Sequence, residues 1–201
     1  MTIDELTPLL EAWYEVAPGG LGLGPALTAG VRNPTLRKFY AKLGKLAELD
    51  APWWRVGGQD SFLPLHQLRL EDGLTVFGVE NQGCFIIAAP DAAEGNVFGS
   101  GDGLADDRVS TLTDLQVPLE ECIVTFVLRE TVLTSEPLGH RTTPDVIHAA
   151  KAGRHYRGRY VDRDEYDDFW WSDEVLVMNI APFDYEKLVA RKGAWRAPPH
   201  P

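Results

Sequence analysis

Apolar positions recur along this chain with two different periods, and the switches between them mark out its elements. Leu6, Leu9, Leu10, Trp13 and Val16 follow the helical period. Thr2 and Glu5 have capping-box spacing, but that start would put Pro8 inside the helix. Thr7 as cap with Pro8 at the first helical position is the easier start. The helix is expected to end near Pro18-Gly19-Gly20. Gly19, Gly20, Gly22 and Gly24 have the composition of a glycine loop, yet no Lys-Ser/Thr follows and no strand precedes, so the segment reads as a linker rather than a phosphate cradle. Asn33-Pro34 opens a second helix, with Asn33 as cap and an apolar stripe of Leu36, Phe39, Tyr40, Leu43 and Leu46. Arg37, Lys38, Lys42 and Lys45 occupy its wet side.

The period then changes to that of strands. Leu74 to Val79 and Cys84 to Ala88 are apolar, β-rich runs separated by the polar turn Glu80-Asn81-Gln82-Gly83, the pattern of a β-hairpin. Asp72-Gly73 marks another turn just before it. Leading into the hairpin, Pro64, Leu65 and Leu68 predict a short helical turn. Asn96 to Gly99 is a short strand, and Ser100 to Asp107 a Gly/Asp-rich surface loop whose acids lack calcium-loop spacing. Leu119, Cys122, Ile123, Phe126 and Val127 return to the helical period. The β-branched run Ile123-Val124-Thr125 argues for a strand, but period and length favour a helix with Pro118 at its first position. Thr143-Pro144-Asp145 starts a short helix ending at Gly153. Val175 to Ile180 is a strand, Asp184 to Ala190 a final short helix, and Ala197 to Pro201 a proline-rich tail.

Composition narrows the class. The chain has 201 residues, 44% of them hydrophobic, with six tryptophans, enough for a folded domain with a real core. Its formal net charge of −11 disfavours nucleic acid, whose phosphates need Lys and Arg. Cys84 and Cys122 each lie in an apolar run and read as reduced core thiols rather than a disulfide. No CxxC spacing suggests zinc. The acidic N-terminus does not read as a signal peptide, and no run of about 18 apolar residues occurs to span a membrane. The expected location is cytoplasmic.

Three stretches together resemble one family. They are Pro34-Thr35-Leu36-Arg37-Lys38-Phe39-Tyr40, Phe62-Leu63-Pro64-Leu65-His66-Gln67-Leu68, and Glu71-Asp72-Gly73-Leu74-Thr75-Val76-Phe77 followed by Glu80-Asn81-Gln82-Gly83. In order and spacing they are similar to the SUKH superfamily, which includes bacterial immunity proteins against polymorphic toxins and fungal regulators of cell-wall synthesis. The resemblance implies that Leu112 to Leu133 is the family's closing helix. The resemblance spans residues 30–135. A Trp common after the family's turn is replaced by Phe85-Ile86-Ile87, and residues 1–29 and 136–201 have no counterpart. The resemblance implies an α+β fold with a central antiparallel sheet flanked by helices, here carrying a C-terminal α/β extension packed on the same domain. It also implies a non-enzymatic, protein-binding role without a cofactor. Two alternatives are a regulatory or scaffold protein of the same fold and a metal-dependent enzyme.

Candidate site residues follow from chemistry. Glu80, Asn81 and Gln82 read either as a recognition turn or as residues holding the turn itself, and the second reading is preferred. His140, Asp145 and His148 are metal candidates, with Asp145 and His148 three apart on one helix face; a zinc or iron site would need a third ligand from elsewhere, which nothing specifies. No nucleophile elbow occurs. Asp162, Asp164, Glu165, Asp167 and Asp168 put five acids into seven residues, interleaved with or followed by Tyr166, Phe169, Trp170 and Trp171. Acids steer and aromatics anchor at protein interfaces, so this stretch suits a basic toxin domain as partner. The competing reading is an aromatic core strand beside an exposed acidic turn. The basic run Arg154 to Tyr160 just before it is expected to pair with it across a hairpin. Trp53-Trp54 is read as core, with an exposed patch as the alternative.

Overall fold

A computed structural model describes residues 1–48, 60–80, 85–100, 112–135, 144–179 and 188–191, with the backbone alone at 80, 144–147 and 188–191. Its fold is α+β. Helix α1 spans Ile3–Trp13, α2 Pro25–Thr28 and α3 Pro34–Leu43, the last running into a 3-10 turn at Gly44–Ala47. Among the described residues, one antiparallel sheet holds six strands: β1 (Asp60–Phe62), β2 (Arg69–Glu71), β3 (Leu74–Glu80), β4 (Ile86–Pro90), β5 (Asn96–Gly99) and β6 (Thr113–Pro118). β1 and β2 both pair with β3, and the order continues through β4 and β5 to β6. Helix α4 (Leu119–Thr134) and helix α5 (Pro144–Lys151) lead to a second antiparallel sheet. It is built from β7 (Arg154–Gly158), β8 (Asp167–Trp171), β9 (Val175–Asn179) and β10 (Leu188–Arg191), paired in sequence order.

Helix α4 organises the interior. Leu119, Cys122, Ile123, Val124, Phe126, Val127 and Leu128 are all buried, so the helix is apolar around most of its circumference. A helix of that kind needs protein on every side. It packs on α1, α3, β5 and β6, and also against β7, β9 and β10. One continuous core therefore joins Leu36, Phe39 and Phe77 of the first layer to Tyr156, Phe169 and Met178 of the second sheet. Rings run through it: Phe39 lies 4.3 Å from Phe62, Phe62 4.2 Å from Phe126, and Phe126 5.1 Å from Tyr160, centroid to centroid.

Local chemistry explains the element ends. Asn33 Oδ1 accepts from the backbone N–H groups of Thr35 and Leu36 at 2.9 Å, and Pro34 follows at the first helical position. The Asn33 amide also donates to the carbonyls of Pro90 and Ala93, tying α3 to the end of β4. Asp72 and Gly73 both have positive φ, as a two-residue hairpin turn between β2 and β3 requires. The expected hairpin of residues 74–88 forms, with β3 and β4 antiparallel. The helical turn expected near Pro64 is the 3-10 turn Leu65–Gln67.

Several expectations are corrected. Helix α1 begins at Thr2, not Thr7: Thr2 Oγ1 accepts from the Glu5 N–H while the Glu5 carboxylate accepts from the Thr2 N–H. Two satisfied end groups and the burial of Ile3 and Leu6 outweigh the hydrogen bond lost at Pro8, which sits inside the helix. The segment from Leu112 does not open a helix. Thr113–Pro118 is strand β6, and Pro118 is the cap of α4 rather than its first helical residue. Residues Leu188 to Ala190 are not helical either, because they pair with Met178 to Leu176 of β9 and extend that sheet. Trp53-Trp54, Cys84, the loop residues 101–107 and the tail lie outside the described residues. Cys122 is a buried free thiol whose pKa burial pushes up.

Candidate functional site

The acidic-aromatic stretch lies in the β7–β8 connection, and the basic run before it is its hairpin partner. Gly158 faces Asp167, Arg157 faces Asp168, His155 faces Trp170 and Arg154 faces Trp171. Alternation along β8 sorts the side chains. Asp167, Phe169 and Trp171 point inward, Asp167 onto Arg129 of α4 and the two rings into the core, while Asp168 and Trp170 are half-buried on the outer face. Asp162, Asp164 and Glu165 are exposed in the connecting loop.

The inner side is fastened to α4 by charge. Both Glu121 carboxylate oxygens accept from the Arg159 guanidinium, at 2.8 and 2.9 Å, and Oε1 also accepts from the Arg159 backbone N–H at 3.0 Å. The Arg159 guanidinium holds the Glu121 carboxyl below the usual carboxylate range. About two turns along the helix, Arg129 donates to Asp167 at 2.8 Å and lies over the Tyr160 ring. Tyr160 in turn donates to Asp60 of β1 at 2.9 Å. Burial raises the Asp167 carboxyl, and the nearby Arg129 charge offsets only part of that rise. Tyr156 completes the seam, with its hydroxyl 3.2 Å from Thr125 Oγ1 and its pKa pushed up to about 12 by burial.

The outer side forms a ridge. Arg157 and Arg159 lie against the Tyr166 ring, at 4.8 and 5.4 Å from its centroid. Asp162 Oδ1 accepts from the Asp164 N–H at 2.8 Å, which fixes the turn. Arg163 reaches across to Gln116 Oε1 of β6, tying the loop to the first sheet. At the far end, His155 is 2.8 Å from Asp168 and stacks on Trp170, and Lys151 of α5 sits 4.5 Å over the same indole. Arg157, Arg159 and His155 are thus engaged within the hairpin and with α4. Asp162, Asp164 and Glu165 are exposed beside Arg157 and Arg163, and Arg163 Nε lies 3.2 Å from Asp164 Oδ2, so acids outnumber the cations that share this surface.

The sequence-predicted residues therefore separate into groups. Asp162, Asp164, Glu165 and Tyr166 come together as one surface. Asp168 and Trp170 lie on the adjoining outer face. Asp167 and Trp171 are withdrawn into the interior, Asp167 on Arg129 and Trp171 in the core. The side chains of Glu80, Asn81 and Gln82 lie outside the described residues, as do His140 and the Asp145 side chain. His148 is exposed on α5. Among the described residues no three His, Cys, Asp or Glu side chains are grouped to hold a metal ion, and no helix is long and apolar enough to cross a membrane.

Sequence reasoning missed Glu121 and Arg129 as the anchors of this surface. A signal existed for Arg129: it follows the apolar run Cys122 to Leu128, and a charge there needs a partner. Nothing local marked Asp60. Comparison with known proteins gives no match to a family model, a curated protein or a solved structure.

Proposed function

We propose that the chain is a non-enzymatic protein-binding module: an immunity protein of SUKH type that neutralises a basic toxin domain by direct contact. The observation that carries this reading is the ridge of Asp162, Asp164 and Glu165, solvent-facing carboxylates on a turn already fixed by hydrogen bonds. A fixed turn loses little entropy on binding, and exposed acids steer a cationic partner. Tyr166, half-buried beside them, supplies an aromatic contact of the kind interfaces favour. A toxin that cleaves nucleic acid carries a cationic phosphate-binding cleft, which such a ridge would fill in place of phosphate. The ordered motifs from Pro34 to Gly83 and the net charge of −11 support the same reading.

Co-expression with toxin domains encoded beside the gene tests it. Growth rescue and a stable one-to-one complex are expected with one of them. Absence of rescue with every neighbouring toxin would overturn the reading, and recovery of a non-toxin partner by pull-down would replace it with a regulatory role.

A further inference from the structure

Strand β2 is three residues long and, among the described residues, pairs with β3 on one side and with no strand on the other. Its sequence is Arg69-Leu70-Glu71. The two-residue turn at Asp72-Gly73 makes Glu71 and Leu74 a hydrogen-bonded pair, so alternation leaves the Leu70 N–H and C=O pointing away from β3. Leu70 is 58% exposed, and Leu27 is 67% exposed; among the described residues these are the exposed large apolar side chains. Both line one groove of about 300 Å³, together with Val31, Leu65 and Leu68.

We propose that the outer edge of β2 is a self-association surface, pairing antiparallel with β2 of a second copy of this chain in a register centred on Leu70. Charge complementarity selects this occupant. In an antiparallel two-fold pairing centred on Leu70, Arg69 of each copy faces Glu71 of the other. Both ion pairs fall at non-hydrogen-bonded positions, where facing side chains approach most closely. Leu70 meets its own copy, and the two residues exchange the outward N–H and C=O groups. Neither Arg69 nor Glu71 makes an ion pair within its own chain among the described residues. Short edges bearing charge normally resist edge-to-edge pairing. This one does not repel a copy of itself, because its two charges are opposite and placed symmetrically about the central leucine. The apolar side of the pairing continues into the groove at Leu27, Leu65 and Leu68, so Leu70 of the second copy has a surface to bury against.

Sedimentation velocity over a concentration series, on the full chain, tests the proposal. The wild-type chain should show a reversible, concentration-dependent dimer. Arg69→Glu alone and Glu71→Arg alone each place like charges opposite one another twice per dimer, and each should weaken dimerisation about tenfold or more. The Arg69→Glu, Glu71→Arg double variant restores complementarity and should return to within about threefold of wild type. An equimolar mixture of the two single variants should form a heterodimer that neither forms alone. A wild-type chain that stays monomeric throughout would overturn the proposal. So would a dimer indifferent to both single variants, or a double variant no better than either.

Discussion

Glu121 on α4 holds Arg159 at three points, accepting from its backbone N–H, its Nε and a terminal guanidinium nitrogen. That grip fixes the start of the acidic loop against the central helix. Glu121→Gln should lower stability by about 1–2 kcal/mol, since a charge-assisted fork is lost at a partly exposed site. Because Arg159 depresses the folded pKa of Glu121, the ion pair stabilises fully above the unfolded value of about 4.3 and is lost as pH falls through the folded one. Urea midpoints of wild type and Glu121→Gln should therefore differ most above about pH 5 and converge on acidification. A gap that widened toward low pH would contradict the assignment.

The Arg129–Asp167 pair behaves differently because it is buried, with its side chains 19% and 6% exposed. Asp167→Ala removes both the counter-charge and the hydrogen-bond acceptor of the guanidinium and should cost about 3 kcal/mol. Replacing both partners, Arg129→Met with Asp167→Leu, removes the charge that needed compensation and should recover most of that loss. The pH response of Asp167 opposes that of Glu121: burial raises its folded pKa, so its protonation as pH falls favours the folded chain. Denaturant titrations of the single and double variants, at neutral pH and near pH 5, separate the two effects.

How far the sequence reached depended on whether each element is decided locally. Asn33 with Pro34 announces α3 because cap, helix start and stripe all lie within a few residues. The β3–β4 hairpin was legible from its period, and the β7–β8 pairing from opposite charge in successive runs. The start of α1 was misread because Pro8 weighs heavily in local propensity, whereas burial of Ile3 and Leu6 is a tertiary gain. Strand β6 was hidden by its polar composition and by Gln116, whose φ of 57° breaks regular alternation. β10 carries a helix-compatible sequence that the free edge of β9 draws into a sheet. At the site, the acidic cluster was visible as composition. Its division into exposed Asp162, Asp164 and Glu165 and buried Asp167 depended on a partner, Arg129, some 40 residues away, about which local patterning is silent.

Gly158 ends β7 where the backbone passes close to Tyr156 and Thr125. A Cβ there would overlap the Tyr156 hydroxyl and Thr125 Oγ1. Gly158→Ala should therefore separate β7 from α4 and destabilise by about 1–3 kcal/mol, the usual cost of overpacking. Thr125→Ala removes one of the two obstructing atoms, so Gly158→Ala should cost less in that background. Thermal melts of the four chains in this cycle give the coupling directly, and strict additivity would show that the clash is not with Thr125.

The acidic ridge makes a kinetic prediction about the proposed partner. Asp162, Asp164 and Glu165 are exposed and screened by salt, so their main effect should be on encounter rate rather than on complex lifetime. The triple variant Asp162→Asn, Asp164→Asn, Glu165→Gln should slow association about tenfold at low ionic strength, with dissociation changed less than about threefold. At about 0.5 M salt the association rates of variant and wild type should converge. Tyr166→Ala should show the complementary signature, faster dissociation with association nearly unchanged, because an aromatic contact forms only after docking. Arg157 and Arg159 pack on that ring, so Tyr166→Phe, which keeps the packing and loses the hydroxyl, separates loss of contact from loss of loop order. Surface plasmon resonance against the proposed toxin partner reads all of these quantities. An association rate indifferent both to salt and to the triple substitution would remove the ridge from the interface.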